Sequence, residues 1–567
     1  MAVIARPRGA VREEAADRFA TEKRLAGLNI LVAFIALALG GLMGILQVLE
    51  YNGIDLYRYL RPVLPGGYYQ GLTIHGVLNV LVFTTFYIMG FLTFVTAKAL
   101  DKPLVSKGLA WFTFWLMLGG LVMAAVPILM NNATVLFTFY PPLKADGFYY
   151  LGLTIVVVGT YFLLVNQAMT YMAWRKENPA AKTPLPAFMA IVTMAMWVIA
   201  TLGIAAEMLF LLIPWSFGLV QGTDVILART LFWFTGHPIV YFWLLPAYIS
   251  WYTMVPKLAG GKLFSEPMAR VAFVLFLVLS VPIGIHHQYT DPGISQIWKL
   301  VHFIFTVGVF FPSLLTFFNV VASLEIAGRA RGGRGWLTWI FALPWRKAAF
   351  TTQVFAMFLF AFGGAGGVIN ASYNLNLVVH NTAWISGHFH LTVGSAVALT
   401  FMGITYWLVP YITGRKLFSN TLALAQAWTW IIGMTMFSHF MHMLGLLGMP
   451  RRTMIGAAPY LNPETAGVAA EWRLLLPMTM IGGLLMGVSA LLYYVNMVLT
   501  ITRGQPEPNQ EVPFAAKVSG PEDVPAVLDR FWPWVLGALV LVAINYGPTL
   551  FFLITTGRFN IPGMRPW

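Results

Sequence analysis

HNTAWISGHFHLTVGSAVALTFMGITYWLVPY, residues 380–411, runs for 32 positions without one Asp, Glu, Lys or Arg. At about 1.5 Å per helical residue it exceeds the ~30 Å hydrocarbon core of a bilayer, so it reads as a membrane-crossing helix. Two histidines, His388 and His390, stand eight to ten residues into it. A polar ring at that depth carries a free-energy cost unless it is partnered, which makes both functional candidates.

The rest of the chain has the same character. Of 567 residues, 59% are hydrophobic and 10% charged, with 43 Phe and 20 Trp. That is too little charge to cover a soluble surface, so the expected fold class is an all-α polytopic membrane protein. Thirteen apolar stretches are long enough to cross: 27–48, 70–98, 108–130, 148–173, 186–213, 229–255, 268–290, 299–325, 350–371, 380–411, 422–447, 472–500 and 531–555. The predicted organisation is a cytoplasmic arm over 1–26, a single transmembrane helical domain over 27–555 and an outer tail over 556–567. Proline-rich residues 504–526 read as an exposed connector, and no internal repeat is read.

The net charge of +14 follows the membrane and does not call for a nucleic acid. Basic residues gather in alternate loops: Arg6, Arg8, Arg12, Arg18, Lys23 and Arg24 in the arm, then Lys102 and Lys107, Arg175 and Lys176, Lys257 and Lys262, Arg329 and Arg331, Arg415 and Lys416. The positive-inside rule places those loops and the N-terminus in the cytoplasm and the C-terminus outside. Cysteine is absent. Disulfides, iron–sulfur clusters and thiolate metal sites are therefore excluded, and any metal must be held by imidazole or oxygen.

With that orientation, His75, His237, the pair His286–His287 in SVPIGIHHQYTDPG (280–293), His388 and His390 all fall in the outer third of the membrane. Six histidines from four helices at one depth argue for shared work. His388 and His390 are two residues apart, about 200° around a helix, and cannot share one metal. Each can serve its own planar cofactor, one on either side of the helix, and haem iron takes an axial imidazole in this way. His75 is then the natural second ligand of one haem, leaving the other with an open position. His237, His286 and His287 remain for a second metal, for which three imidazoles suit copper, zinc or iron. Tyr241 follows His237 by four residues, on the same face and one turn deeper.

The motifs HGVLN (75–79), TGHPIVY (235–241), HHQYTDPG (286–293) and HNTAWISGHFHL (380–391) resemble the catalytic subunit I of the haem–copper terminal oxidases over essentially the whole chain. The resemblance implies a low-spin haem on His75 and His390, a high-spin haem on His388, copper (CuB) on His237, His286 and His287, and a covalent link between His237 and Tyr241. It implies reduction of dioxygen to water with outward proton pumping, in a prokaryotic plasma membrane. Where the common members resemble GHPEVY, this chain has Ile239. The pattern is similar to the B family and its ba-type cytochrome c oxidases, which implies a b-type low-spin and an a-type high-spin haem.

Without that glutamate protons need another route. Tyr241, Tyr248 and Tyr252 form one stripe, Ser313, Thr316, Asn319 and Ser323 a second, and Ser265 lies near the cytoplasmic mouth. These stripes resemble the family's K-type proton path. Arg451 and Arg452 stand on the sparsely basic outer side, where guanidinium groups suit haem propionates, and His380 and Asn376 are expected to join them. Glu207 is the carboxylate read as lying well inside the membrane, with no role assigned, and His302, His439 and His442 are read as packing residues.

Lacking cysteine, the chain cannot hold a dicopper thiolate centre, so a partner subunit II carrying that centre and cytochrome c as donor are expected, or else a quinol site. Two other readings compete. A nitric oxide reductase resembles a pattern without a tyrosine at 241, and a transporter gives no reason for six histidines at one depth.

Overall fold

The computed structural model describes residues 17–455, 471–557 and 560–563. The arginines Arg6, Arg8 and Arg12 of the expected arm and the end of the expected outer tail lie outside them.

The chain folds as a helical bundle. Its long helices are α1 Ala20–Tyr51, α2 Gly67–Ala99, α3 Lys107–Leu129, α4 Gly147–Glu177, α5 Leu185–Ser216, α6 Val225–Thr253, α7 Glu266–Leu279, α8 Gln296–Ala330, α9 Ala348–Ala371, α10 Ala383–Thr413, α11 Asn420–Leu446, α12 Trp472–Arg503 and α13 Trp532–Thr556. Among the described residues eleven are long and apolar enough to cross a membrane. The two that fall short are α7 and α11. Helix α7 has 14 residues, about 21 Å at helical rise, and the chain continues as a 3₁₀ turn over Gly284–Gln288 because Pro282 and Gly284 interrupt the helix. Helix α11 has 27 residues and is diluted by Gln426, His439 and His442. Helix α1 begins at Ala20, inside the stretch expected to be arm.

A repeat runs through this bundle, contrary to the sequence reading. The stretches KPLVS (102–106), GKLFS (261–265) and RKLFS (415–419) each end in a serine that caps α3, α7 and α11. The serine hydroxyls accept the N–H of Leu109 at 3.1 Å, Met268 at 3.3 Å and Leu422 at 3.1 Å. The next helix supplies an asparagine each time. Asn166, Asn319 and Asn496 accept the serine N–H (3.3, 3.1 and 3.1 Å) and donate to the serine carbonyl (2.8, 2.7 and 2.8 Å). Four residues on, Thr170, Ser323 and Thr500 accept the N–H of the residue before the serine and donate back to the asparagine carbonyl. Three four-helix units, α1–α4, α5–α8 and α9–α12, are therefore closed by one clamp at the Lys/Arg-rich end, and α13 is an addition.

The second helix of each unit carries His75, His237 or the pair His388 and His390, and its regular ladder breaks beside them. A π-helical turn follows His75 over Val77–Phe83, another follows His390 over Thr392–Val397, and α6 is interrupted at His237 before Pro238. Such breaks recur at functional sites.

The connector after α12 is a strap, not a loose loop. Its strand β3 (Lys517–Ser519) pairs in parallel with β2 (Leu263–Ser265), and Ala515 N–H donates to Thr253 O at 2.6 Å. An alternating row of charges pins it at both ends: Lys517–Glu266 at 2.6 Å, Glu266–Arg270 at 2.7 Å, Arg270–Asp529 at 3.0 Å and Asp529–Arg175 at 2.9 Å.

Candidate metal centres

The rings of His75 on α2 and His390 on α10 face each other, with centroids 6.2 Å apart and planes 17° from parallel. His75 Nδ1 bonds Gly40 O at 2.8 Å and His390 Nδ1 bonds Ser386 O at 2.7 Å. A carbonyl only accepts, so each Nδ1 carries the proton and each Nε2 is left as a ligand. They lie against a cavity of ≈ 520 Å³ lined by Phe83, Phe389, Trp430 and Phe437. Its rim holds Arg451 and Arg452.

Among the described residues neither arginine has an acidic partner. Arg452 donates to Thr138 Oγ1 at 3.1 Å and lies over the Phe137 ring, and Arg451 donates to Asn381 Oδ1 at 3.0 Å. Removal from water, with Arg452 beside it, pushes the Arg451 guanidinium down to about 9. Two like charges packed against an apolar cavity call for an anion, which fits the carboxylates of a haem.

His388 points to the other side of α10. Its ring runs parallel to Trp384 at 5.8 Å, and a Cβ on Gly366 of α9 would sit 2.9 Å from its Nδ1, so only glycine leaves the ring its place there. This ring is the one of the six without a histidine facing it.

His237, His286 and His287 form a group whose ligand nitrogens all lie within 4.8 Å of one another. His237 Nδ1 is 3.1 Å from His287 Nε2. His286 Nδ1 bonds Thr306 Oγ1 at 2.8 Å. That hydroxyl already donates to His302 O at 2.6 Å, so it accepts from His286 and leaves His286 Nε2 facing the group. Three neutral imidazoles at this separation, with no thiolate or carboxylate, fit copper or zinc after sub-ångström closure. His237 Nε2 has no partner, and the Tyr241 ring lies 5.1 Å away.

Deeper in α6, Tyr252 donates to Thr316 Oγ1 at 2.8 Å, and Tyr248 hydrogen-bonds Ser313. Ser265 and Asn319, expected on the same route, are instead bonded to each other in the α7–α8 clamp, with Ser323. Their counterparts Ser106–Asn166 and Ser419–Asn496 make the same bonds, so the polar residues at 319–323 also close this helix pair. Asn376 turns to Asn370, donating to its backbone O at 2.7 Å and Oδ1 at 2.9 Å, and Asn381 takes the place beside Arg451 expected for it. His380 is bonded to Thr290 at 3.1 Å. Burial and the charge of Arg451 push it down to about 4. Glu207 is fully buried and both its oxygens lack a partner.

The sequence reading missed Trp233, whose indole stacks on His287 at 3.9 Å. Its place four residues before His237, on the same helix face, was the available signal. It also missed the bidentate pair Arg229–Asp291 at 2.8 and 2.9 Å, which ties α6 to the end of the HHQYTDPG motif.

The chain is similar to known proteins over most of its length. Residues 24–483 match the family model described as cytochrome c and quinol oxidase polypeptide I. Over 559 residues the chain is 46% identical to a cytochrome c oxidase subunit 1 of Thermus thermophilus, covering 96% of this chain and 97% of that one. It is 24% identical over 500 residues to a quinol oxidase subunit 1 of Bacillus spizizenii, covering 84% and 71%. A cryo-EM structure of a haem–copper terminal oxidase dimer superimposes with a TM-score of 0.92 at 38% identity, covering 96% and 95%. The chain belongs to the cytochrome c and quinol oxidase polypeptide I family and is the catalytic subunit of a haem–copper oxidase, a multi-pass enzyme of the plasma membrane.

Proposed function

We propose that this subunit holds a b-type low-spin haem between His75 and His390, an a-type high-spin haem on His388, and copper on His237, His286 and His287. Electrons come from cytochrome c through a subunit II that carries the dicopper centre this cysteine-free chain cannot build. Dioxygen is reduced to water and protons move outward, with thirteen crossings, the N-terminus inside and the C-terminus outside. The observation that carries this reading is the division of six imidazoles into a facing pair, a lone ring and a triplet, because electron transfer needs a saturated iron and oxygen chemistry an open one.

When bound, the metals supply one-electron steps and an open coordination position for dioxygen. The chain's own residues do the rest. Carbonyls of Gly40 and Ser386 and the hydroxyl of Thr306 fix three ring orientations. A second cavity of ≈ 120 Å³, lined by Leu153, Trp233, Gly236 and Ile239, gives an apolar gas a dry approach to His237. The Tyr241 phenol supplies a proton and an electron there, and the link to His237 implied by the family would use the unpartnered Nε2. Protons reach Tyr241 by way of Tyr252, Thr316, Tyr248 and Ser313. Arg451 and Arg452, with neutral His380 nearby, hold the propionates.

A reduced-minus-oxidised optical spectrum with and without carbon monoxide, together with metal analysis of the purified oxidase, tests the assignment. Two haems, one of them binding carbon monoxide, and one copper in this subunit are expected. Absence of a haem band, or iron in place of copper, would overturn it.

A further inference from the structure

The loop that presents His286 and His287 is not helical, so its backbone groups need partners from outside, and they find them mainly on α13. Gly284 N–H donates to the Tyr546 hydroxyl at 2.8 Å, and Pro282 O accepts from Asn545 Nδ2 at 2.9 Å. Ile285 N–H donates to His302 Nδ1 at 3.2 Å. That nitrogen is therefore unprotonated, and His302 Nε2–H donates to Asn545 O at 3.3 Å. The circuit closes on itself: loop, His302 of α8, Asn545 and Tyr546 of α13, loop. The His302 ring meets the edge of Tyr546 at 4.9 Å, and all three side chains are buried.

The loop has no slack. A Cβ on Gly284 would collide with Trp233 O and with the Tyr546 hydroxyl, so the backbone is clasped between α6, which carries His237, and α13. Helix α13 lies outside the three repeated units and beyond the residues that match the family model, which ends at 483.

We propose that α13 is a brace for the three-histidine centre, with Tyr546, Asn545 and His302 as positioning residues that set the spacing of His286 and His287 from His237. The proposal rests on copper being held by those three residues. Partners of this kind that orient metal ligands typically change metal retention about 10- to 100-fold when removed. Tyr546→Phe deletes only the acceptor of Gly284 N–H, and Asn545→Leu only the donor to Pro282 O and its amide acceptor, while both keep the side-chain volume.

The test uses the purified oxidase complex. Copper release to a chelator is followed over time, and the C–O stretch of carbon monoxide photo-transferred to copper is read by infrared spectroscopy. Release at least about tenfold faster in both variants, with a shifted or broadened stretch and an unchanged low-spin haem band, is the expected result. Ile544→Ala, on the lipid-facing side of the same helix, should behave as the parent. Copper retention and stretch like the parent's in both variants would overturn the brace. So would loss of the low-spin haem together with copper, since α13 would then be holding the bundle at large. A parent protein that shows no C–O stretch on copper overturns the ligand assignment itself, and the brace with it.

Discussion

Helix pairs α7–α8 and α11–α12 are the same device at one end and different devices at the other. At the basic end Ser265–Asn319–Ser323 and Ser419–Asn496–Thr500 make matching hydrogen bonds, the largest discrepancy being the serine cap, 3.3 against 3.1 Å. At the far end the chain leaving α7 carries His286–His287, and the chain leaving α11 carries Arg451–Arg452. Uncharged imidazoles gathered within 4.8 Å suit a cation. Two guanidinium groups without an acidic partner among the described residues suit an anion. The difference teaches that closure of these two units is common property, whereas the segment after the third helix, which no helix ladder constrains, is free to carry different chemistry in each.

The largest effect should come from exchanging what those far ends hold. His286→Ala with His287→Ala is expected to remove copper and abolish oxygen reduction while leaving both haem bands, because no haem ligand lies on that segment. Metal analysis beside an optical spectrum checks this, and a copper content equal to the parent's in the double variant would contradict the assignment. In the other unit Arg452→Met removes a positive charge beside the facing pair His75–His390. The low-spin haem should become harder to reduce, by roughly 60 mV for each tenfold change in its one-electron equilibrium. An unchanged or raised midpoint in a redox titration would mean that the arginines do not neighbour that haem.

Between these in consequence for turnover stands Thr316, three residues before the clamp asparagine, where α12 has Tyr493 and α4 has Leu163. It belongs to one unit only, as a chemical rather than a closing residue should. Thr316→Val deletes the acceptor of the Tyr252 hydroxyl in an interior without bulk water. Oxygen reduction and pumping should fall together by about tenfold, which corresponds to ~1.4 kcal/mol on the barrier, with optical spectra unchanged. Normal turnover and normal pumping in this variant would place the proton route elsewhere.

Much of this was legible in the sequence, and the misses have a common cause. Apolar length revealed the eleven helices long and apolar enough to cross, and the two-residue spacing of His388 and His390 revealed their opposite faces, because both depend on helix geometry alone. The repeat was hidden because its signal lies in a few polar residues at unequal separations: 60 residues from Ser106 to Asn166, 54 from Ser265 to Asn319 and 77 from Ser419 to Asn496. The connector at 504–526 is largely exposed, as its prolines suggested, but its pinning as a strap was not legible, since the partners that hold it, Glu266, Arg270 and Arg175, lie hundreds of residues away. Asn376 was expected beside Arg451 because it sits just outside the tenth span on the outer side, but its Nδ2 donates to Asn370, and Asn381, with its left-handed backbone at φ 59°, accepts from the guanidinium instead.

The smallest effect separates closure from relay most sharply. If Asn319 closes a helix pair, Asn319→Leu and Asn496→Leu are matching lesions: each strips the partner from a serine N–H and removes one donor from the serine carbonyl, leaving the N–H unpaired. A buried group in that state costs of order 1–3 kcal/mol, so the two variants should lower the thermal midpoint of the purified oxidase by similar amounts and leave turnover nearly untouched. If Asn319 passes protons, only its variant slows oxygen reduction, since Asn496 lies in a unit with no three-histidine centre. Measuring the two side by side removes the ambiguity of either alone, because any general loss of packing appears in both. A turnover defect confined to Asn319→Leu would return that residue to the proton route and reduce the match with Asn166 and Asn496 to shared ancestry of shape.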